Sequence, residues 1–426
     1  MVIHVVKAGE TLYSLSLEYG VPVSLLALDN ALEVPERLVP GQALVIRFPE
    51  LIHTVRPGET LTSIARKYGV TLRQLYQNNM VLEGRPKIWP GQTLVISYYQ
   101  EPGMEIGVNA YAYPYIDHTL LTTTLPFLTY LTPFTYGFTP TGSIVPLDDA
   151  QLFAAARYAR VAPLMHLSTL TQEGGFSNEL AHIVLNDQAV QARLIENILM
   201  TLQEKGYRGL DVDFEYVFPE DAIPYADFLS ALTGRLNPLG YPVIAALAPK
   251  TSDTQRGALY EGHNFAAIGA AVNQVLLMTY EWGYTYGPPM AVAPLPNVRQ
   301  VVEYALTEIP AGKIWLGIPN YGYDWPLPYV RGSTKATSIS SQQAVALARR
   351  YRADIQYDER AQAPWFRYTD ESGVIHEVWF EDARSIEAKL ALIPEYRLTG
   401  AGYWNLMRNF PQNWLVLSSL YKIRQR

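Results

Sequence analysis

The residues Gly209-Leu210-Asp211-Val212-Asp213-Phe214-Glu215 alternate acidic and apolar side chains. In a β-strand, residues two apart share a face and lie about 7 Å from each other. Asp211, Asp213 and Glu215 are therefore expected on one face, with Leu210, Val212 and Phe214 on the other. Carboxylates crowded together resist joint ionisation, so the pKa of at least one must rise. A Glu kept protonated near neutral pH can give a proton to a leaving oxygen. A triplet of this kind also occurs on solvated faces or around a divalent cation. Apolar alternation argues against the solvated face.

Such a row needs a scaffold that points it into a cleft. After residue 98, short apolar runs alternate with helical patterns, as in βα units around a parallel sheet. Strands are expected at 106–113, 127–136, 161–167, 209–215, 243–248, 275–280, 314–319 and 402–406. Leu194, Ile195, Ile198, Leu199 and Leu202 share a helix face, and Gly206 ends that helix. Eight such strands over 104–426 fit the α/β class as a (β/α)8 TIM barrel, whose active sites lie at the C-terminal ends of the strands. Residues of about 325–380 do not fit one βα unit. A helical pattern at 342–351 and strand-like pieces at 365–368 and 374–380, around the turn Glu371-Ser372-Gly373, predict a small α+β insertion after the seventh strand. A helix over 382–392 then resumes the barrel.

The N-terminus is a repeat. IHVVKAGETLYSLSLEYG (3–20) returns as IHTVRPGETLTSIARKYG (52–69), an offset of 49 that also relates Asn30 to Asn79. The turn Pro40-Gly41-Gln42 returns as Pro90-Gly91-Gln92 at offset 50. Each unit, 2–48 and 51–98, reads strand, helix, helix, strand. Thr11 and Thr60 are placed to cap helices, and Gly20 and Gly69 to end them. The pattern resembles the LysM module, whose family binds N-acetylglucosamine runs in peptidoglycan or chitin. That resemblance implies a groove lined by Gly9, Glu10, Thr11 and Asn30, and by Gly58, Glu59, Thr60 and Asn79 in the second copy. The same residues also suit a purely architectural role in caps and turns.

GLDVDFE resembles the DGxDxDxE signature of glycoside hydrolase family 18. The resemblance implies Glu215 as general acid and then base, Asp213 orienting the substrate's acetamide, and Asp211 tuning Asp213. The signature's leading Asp is Arg208 here, at the strand's start and remote from the reacting bond. Met278-Thr279-Tyr280-Glu281 is similar to the family's MxYD, which implies that Tyr280 bonds the acetamide carbonyl, with Glu281 in place of the usual Asp. Gly402-Tyr403-Trp404 resembles the segment whose Trp floors a sugar subsite, and Trp282 is a further candidate at the cleft. The implied chemistry is substrate-assisted: the acetamido oxygen attacks the anomeric carbon, so no protein nucleophile, metal or other cofactor is expected. Taken whole, with MTYEWG (278–283) and WFEDARS (379–385), the chain resembles the spore-cortex N-acetylglucosaminidases of spore-forming bacteria. A chitinase or chitooligosaccharide hydrolase, and a non-catalytic glycan-binding spore-coat protein, stay open as alternatives.

Composition narrows the classes further. A net charge of −7 argues against a nucleic-acid partner and against tight docking on anionic membranes. With no cysteine there is no disulfide, thiolate metal site or Cys nucleophile. No apolar run is long enough to span a bilayer, and the first residues lack the pattern of a Sec signal. The partner expected is peptidoglycan or a chitin-like glycan, met by a monomer at the spore coat, cortex or cell wall.

Overall fold

The structure is a computed structural model that describes residues 1–32, 37–171 and 175–426. Eight parallel strands form the barrel: β1 (Glu105–Ala112), β2 (Tyr130–Pro133), β3 (Ala162–Pro163 and Met165–Ser168), β4 (Leu210–Asp213), β5 (Val243–Leu247), β6 (Gln274–Leu277), β7 (Ile314–Pro319) and β8 (Gly400–Trp404). Leu164 interrupts β3. Its first part pairs with β2 and its second with β4, which closes the ring. The second strand is shorter than expected because Leu125–Phe127 turn as a 3-10 helix before the strand begins.

Two apolar layers hold the barrel. Leu210, Val212 and Phe214 look outward into the large core shared with the helices, as the alternation requires. Inside, Tyr130, Leu164, Ile244, Leu276 and Trp315 fill the ring. Gly107 leaves room for Trp315: a Cβ there would lie 2.7 Å from the indole.

The insertion is a five-stranded antiparallel sheet with the helix Ser341–Tyr351 packed on it. Its first strand is Tyr321–Pro326, so the insertion begins ahead of residue 325. The apolar pattern of 314–326 runs straight through two strands of different sheets, which is why sequence placed the boundary late. The WFEDARS segment staples the insertion to the barrel. Fully buried Glu381 accepts from Lys389 Nζ at 2.8 Å and Ser385 Oγ at 2.5 Å, while Asp382 caps the helix Ala383–Leu390.

Each N-terminal unit is an antiparallel strand pair holding two helices. Thr11 and Thr60 make reciprocal caps with Ser14 and Ser63. Both units dock on the barrel. Ile355 N–H donates to Pro40 O at 2.9 Å, Arg384 Nη2 to Gly41 O at 3.1 Å, and Gln412 Nε2 to Ala43 O at 2.9 Å. In the second unit Arg73 Nε and Gln77 Nε2 reach Pro126 O at 2.6 and 2.8 Å.

Candidate active site

Strand β4 carries the carboxylate row to the C-terminal mouth of the barrel, where a cleft of about 820 Å³ opens. Asp213, Glu215, Tyr280, Glu281, Trp282 and Trp404 all line it. None of its lining side chains, among the described residues, is basic.

Asp211 lies deepest. It is fully buried, and its Oδ2 accepts from Tyr111 Oη at 2.7 Å. Burial pushes its pKa up to about 6, against the pull of His166 and the Tyr111 hydroxyl. Asp213 is next outward, with Oδ2 3.6 Å from His166 Nε2. Glu215 lies past the end of β4, in the turn before Tyr216, so the strand is shorter than the motif. Burial, then Asp213, then Glu281, push Glu215 up to about 8.

The turn that carries Glu215 is anchored on both sides. The Phe214 ring stacks on Tyr225 at 5.4 Å and 6°. Ala248 N–H donates to His263 Nδ1 at 2.9 Å, which leaves the imidazole hydrogen on Nε2, and Nε2 donates to Phe214 O at 3.0 Å. Burial lowers the pKa of His263, so the ring stays neutral and keeps that tautomer.

Tyr280 follows β6 and faces the row. Burial and the neighbouring carboxylates raise its phenol well above the usual value, so it stays a hydroxyl donor. Glu281, in a left-handed backbone at φ 66°, accepts from Tyr321 Oη at 2.5 Å and Tyr323 Oη at 3.0 Å. The extra methylene relative to Asp is thus taken up by two phenols from the insertion's first strand. Trp404 ends β8, its ring 4.8 Å from Phe134 and 5.7 Å from Tyr111, and offers a flat floor. Trp282 lines the same cleft, half-buried. Arg208 is exposed at the entry of β4, at the opposite end of the strand from Glu215.

The residues assigned to the module grooves also carry architectural roles, and Gly9, Thr11, Gly58 and Thr60 are exposed. Asn30 and Asn79 are buried, and their amides bridge helix and strand: Asn30 Nδ2 donates to Leu26 O and Val45 O, Asn79 Nδ2 to Leu75 O and Val95 O, each within 2.8–2.9 Å. Both Oδ1 atoms accept from strand N–H groups, those of Val45 and Val95. The Asn79 side chain is spent inside its module, whereas Asn30 Oδ1 also accepts from Gln412 Nε2 of the barrel at 2.8 Å and Asn30 lines a cavity where the first module meets the barrel. Glu10 and Glu59 brace their loops through His4 at 2.8 Å and His53 at 2.6 Å. Thr11 and Thr60 serve as caps. Gly9 and Gly58, at φ 87° and 83°, form open turns with nothing within 4 Å of a Cβ.

Sequence reasoning missed Tyr111, His166, His263, Tyr321 and Tyr323. The Tyr321/Tyr323 pair had a signal, since strand period places both tyrosines of Tyr-Gly-Tyr on one face.

The family model for glycosyl hydrolases family 18 matches residues 98–409, and the LysM model matches 4–47 and 53–97. The chain is 42% identical to the cortical fragment-lytic enzyme of Bacillus subtilis (strain 168), over 99% of both chains. Two solved structures superpose on it with a TM-score of 0.84: the spore cortex-lytic enzyme SleL of Bacillus megaterium QM B1551, 39% identical over 100% of this chain and 99% of that one, and that of Bacillus cereus, 38% identical over 100% and 98%.

Proposed function

The chain belongs to glycosyl hydrolases family 18, with two LysM domains ahead of its barrel, and on that premise we propose that it is an N-acetylglucosaminidase of spore-cortex peptidoglycan and its fragments. It is a glycoside hydrolase, and its full-length relatives include the cortical fragment-lytic enzymes of Bacillus subtilis and Bacillus cereus. The LysM domains supply affinity for N-acetylglucosamine-containing glycan. No helix among the described residues is long and apolar enough to cross a membrane. The relatives support action at the spore cortex or cell wall.

One observation carries the chemistry: Glu215, Asp213 and Tyr280 line one cleft over Trp404, with Glu215 held protonated at neutral pH. Glu215 protonates the glycosidic oxygen. The sugar's own acetamido oxygen closes on the anomeric carbon as the bond to the leaving sugar breaks, giving an oxazolinium ion. Asp213, as the anion, accepts from the acetamide N–H, and Tyr280 donates to its carbonyl. Glu215, now a carboxylate, takes a proton from water, which opens the ring with net retention. The scheme requires a 2-acetamido group on the cleaved side. It also requires Glu215 protonated while the Asp pair is charged. The pH profile of kcat/KM is therefore expected to be a bell whose acid limb tracks Asp211, near pH 6, and whose alkaline limb tracks Glu215, near pH 8. An alkaline limb that stays flat to pH 10 would remove Glu215 as the acid.

The test of the substrate is digestion of purified spore cortex and of chitin oligomers side by side, with reducing ends identified by mass spectrometry. New N-acetylglucosamine reducing ends from cortex are expected. Cleavage of chitin oligomers alone would replace the reading with a chitinase.

A further inference from the structure

His166 stands one strand away from the carboxylate row and has no part in the scheme above. On β3 it is the register partner of Asp211, and it is fully buried. Its ring packs against Phe134 at 4.8 Å and edge-on against Tyr111 at 5.5 Å. Nδ1 lies 2.6 Å from Thr135 Oγ1, and that hydroxyl is in turn 3.0 Å from Ser168 Oγ. Nε2 lies 3.6 Å from Asp213 Oδ2 with no hydrogen-bond partner, and Asp213 Oδ1 has none either. Buried polar atoms left unpaired are costly, and these two groups sit only a few tenths of an ångström beyond bonding distance.

We propose that His166 is a positioning residue for glycoside cleavage, donating from Nε2–H to Asp213 while Thr135 holds the ring so that this nitrogen faces the carboxylate. Asp211 draws a donor from Tyr111 at Oδ2, its Oδ1 having no partner, and the carboxylate oxygen that stands 3.6 Å from His166 Nε2 is Asp213 Oδ2. Asp213 must stay anionic, and in one rotamer, to receive the acetamide N–H, and His166 is the donor placed to hold it so. Thr135 Oγ1 has one hydrogen and three acceptors in reach, Tyr136 O at 3.1 Å, Ser168 Oγ at 3.0 Å and His166 Nδ1 at 2.6 Å; turned to the nearest of them, the ring, it makes Nδ1 the acceptor and leaves the hydrogen on Nε2. The titratable groups facing the imidazole are Asp211 and Asp213 from β4 and the Tyr111 phenol from β1; Phe134 and Thr135, after β2, are neutral.

The inference rests on the acetamide-assisted site proposed above, and its test separates the two. Wild type, His166→Leu, His166→Gln and Thr135→Val are assayed on cortex peptidoglycan fragments across pH, after thermal melts have checked folding. His166→Leu removes the donor, and kcat is expected to fall about 10- to 100-fold with KM within about twofold. Its acid limb is expected to move to higher pH, because His166 is among the groups that draw the Asp211 pKa down. Gln keeps an N–H at similar reach and should restore part of kcat. If Leu does not fold, Thr135→Val reads the same limb through a smaller, polar-to-apolar change outside the row. An inactive wild type would overturn the cortex-fragment reading itself. An active wild type whose folded variants keep both kcat and the acid limb, or lose activity through KM alone, would overturn the role of His166.

Discussion

Glu215→Gln is expected to lower kcat by about a hundredfold to ten-thousandfold, the range a positioned general acid–base contributes, while binding of cortex fragments stays nearly unchanged. Both chemical steps pass through this one carboxyl. The first needs its proton on the leaving oxygen and the second needs its charge to activate water, and an amide supplies neither. The variant should nevertheless be a better-folded protein at alkaline pH. In the folded state the pKa of Glu215 is raised from 4.5 to about 8, by burial first and by Asp213 and Glu281 after it. A group raised in this way holds its proton more tightly when folded. Its contribution is fully present below the unfolded pKa and is lost as pH rises through the folded one. Gln does not titrate, so the melting temperature of Glu215→Gln should overtake that of wild type between pH 5 and 8, as checked by thermal melts over that range. Full turnover in the variant would move the acid elsewhere. Lost turnover with an unchanged pH dependence of stability would mean that the carboxyl is not desolvated as described.

The row of carboxylates was legible because it is local: three residues at strand period need no knowledge of the rest of the chain. The repeat was legible for the same reason, as was the barrel, whose strands announce themselves one at a time. What escaped was registration between distant segments. Tyr111 reaches Asp211 across 100 residues of sequence, His263 reaches Phe214 across 49, and Tyr321 reaches Glu281 across 40. No spacing rule relates such pairs; they meet because the barrel closes. The asparagines of the two LysM domains teach the converse. Asn30 and Asn79 recur at identical places because each ties a helix end to a strand through three hydrogen bonds. Recurrence in a repeat marks shared architecture as readily as shared binding.

The two PGQ turns show how far identical sequence can diverge once the domains are docked. Gly41 and Gly91 both sit at positive φ, 83° and 88°. In the second domain nothing lies within 4 Å of the position a Cβ would take. In the first, that Cβ would fall 1.8 Å from Ile355 O, inside the carbonyl of the insertion on which the turn rests. Gly91→Ala should therefore cost only the left-handed backbone of a residue with a Cβ, about 1–2 kcal/mol. Gly41→Ala carries the same term and must also push the turn off Ile355. That breaks the bond from Ile355 N–H to Pro40 O and loosens Val39 from the insertion core. Overpacking of this kind typically adds about 1–3 kcal/mol, so the total should come to roughly 2–5 kcal/mol. Thermal melts of the two alanine variants check it, with limited proteolysis to show which domain loosens. A clearly lower midpoint for Gly41→Ala, with early cleavage near the first LysM domain, is the expected result. Equal midpoints would mean that this domain is not seated on the barrel, and its glycan affinity would then act as a flexible tether. A seated domain instead holds captured glycan at a fixed distance and angle from Glu215, so the LysM domains would set which part of the cortex strand can reach the cleft.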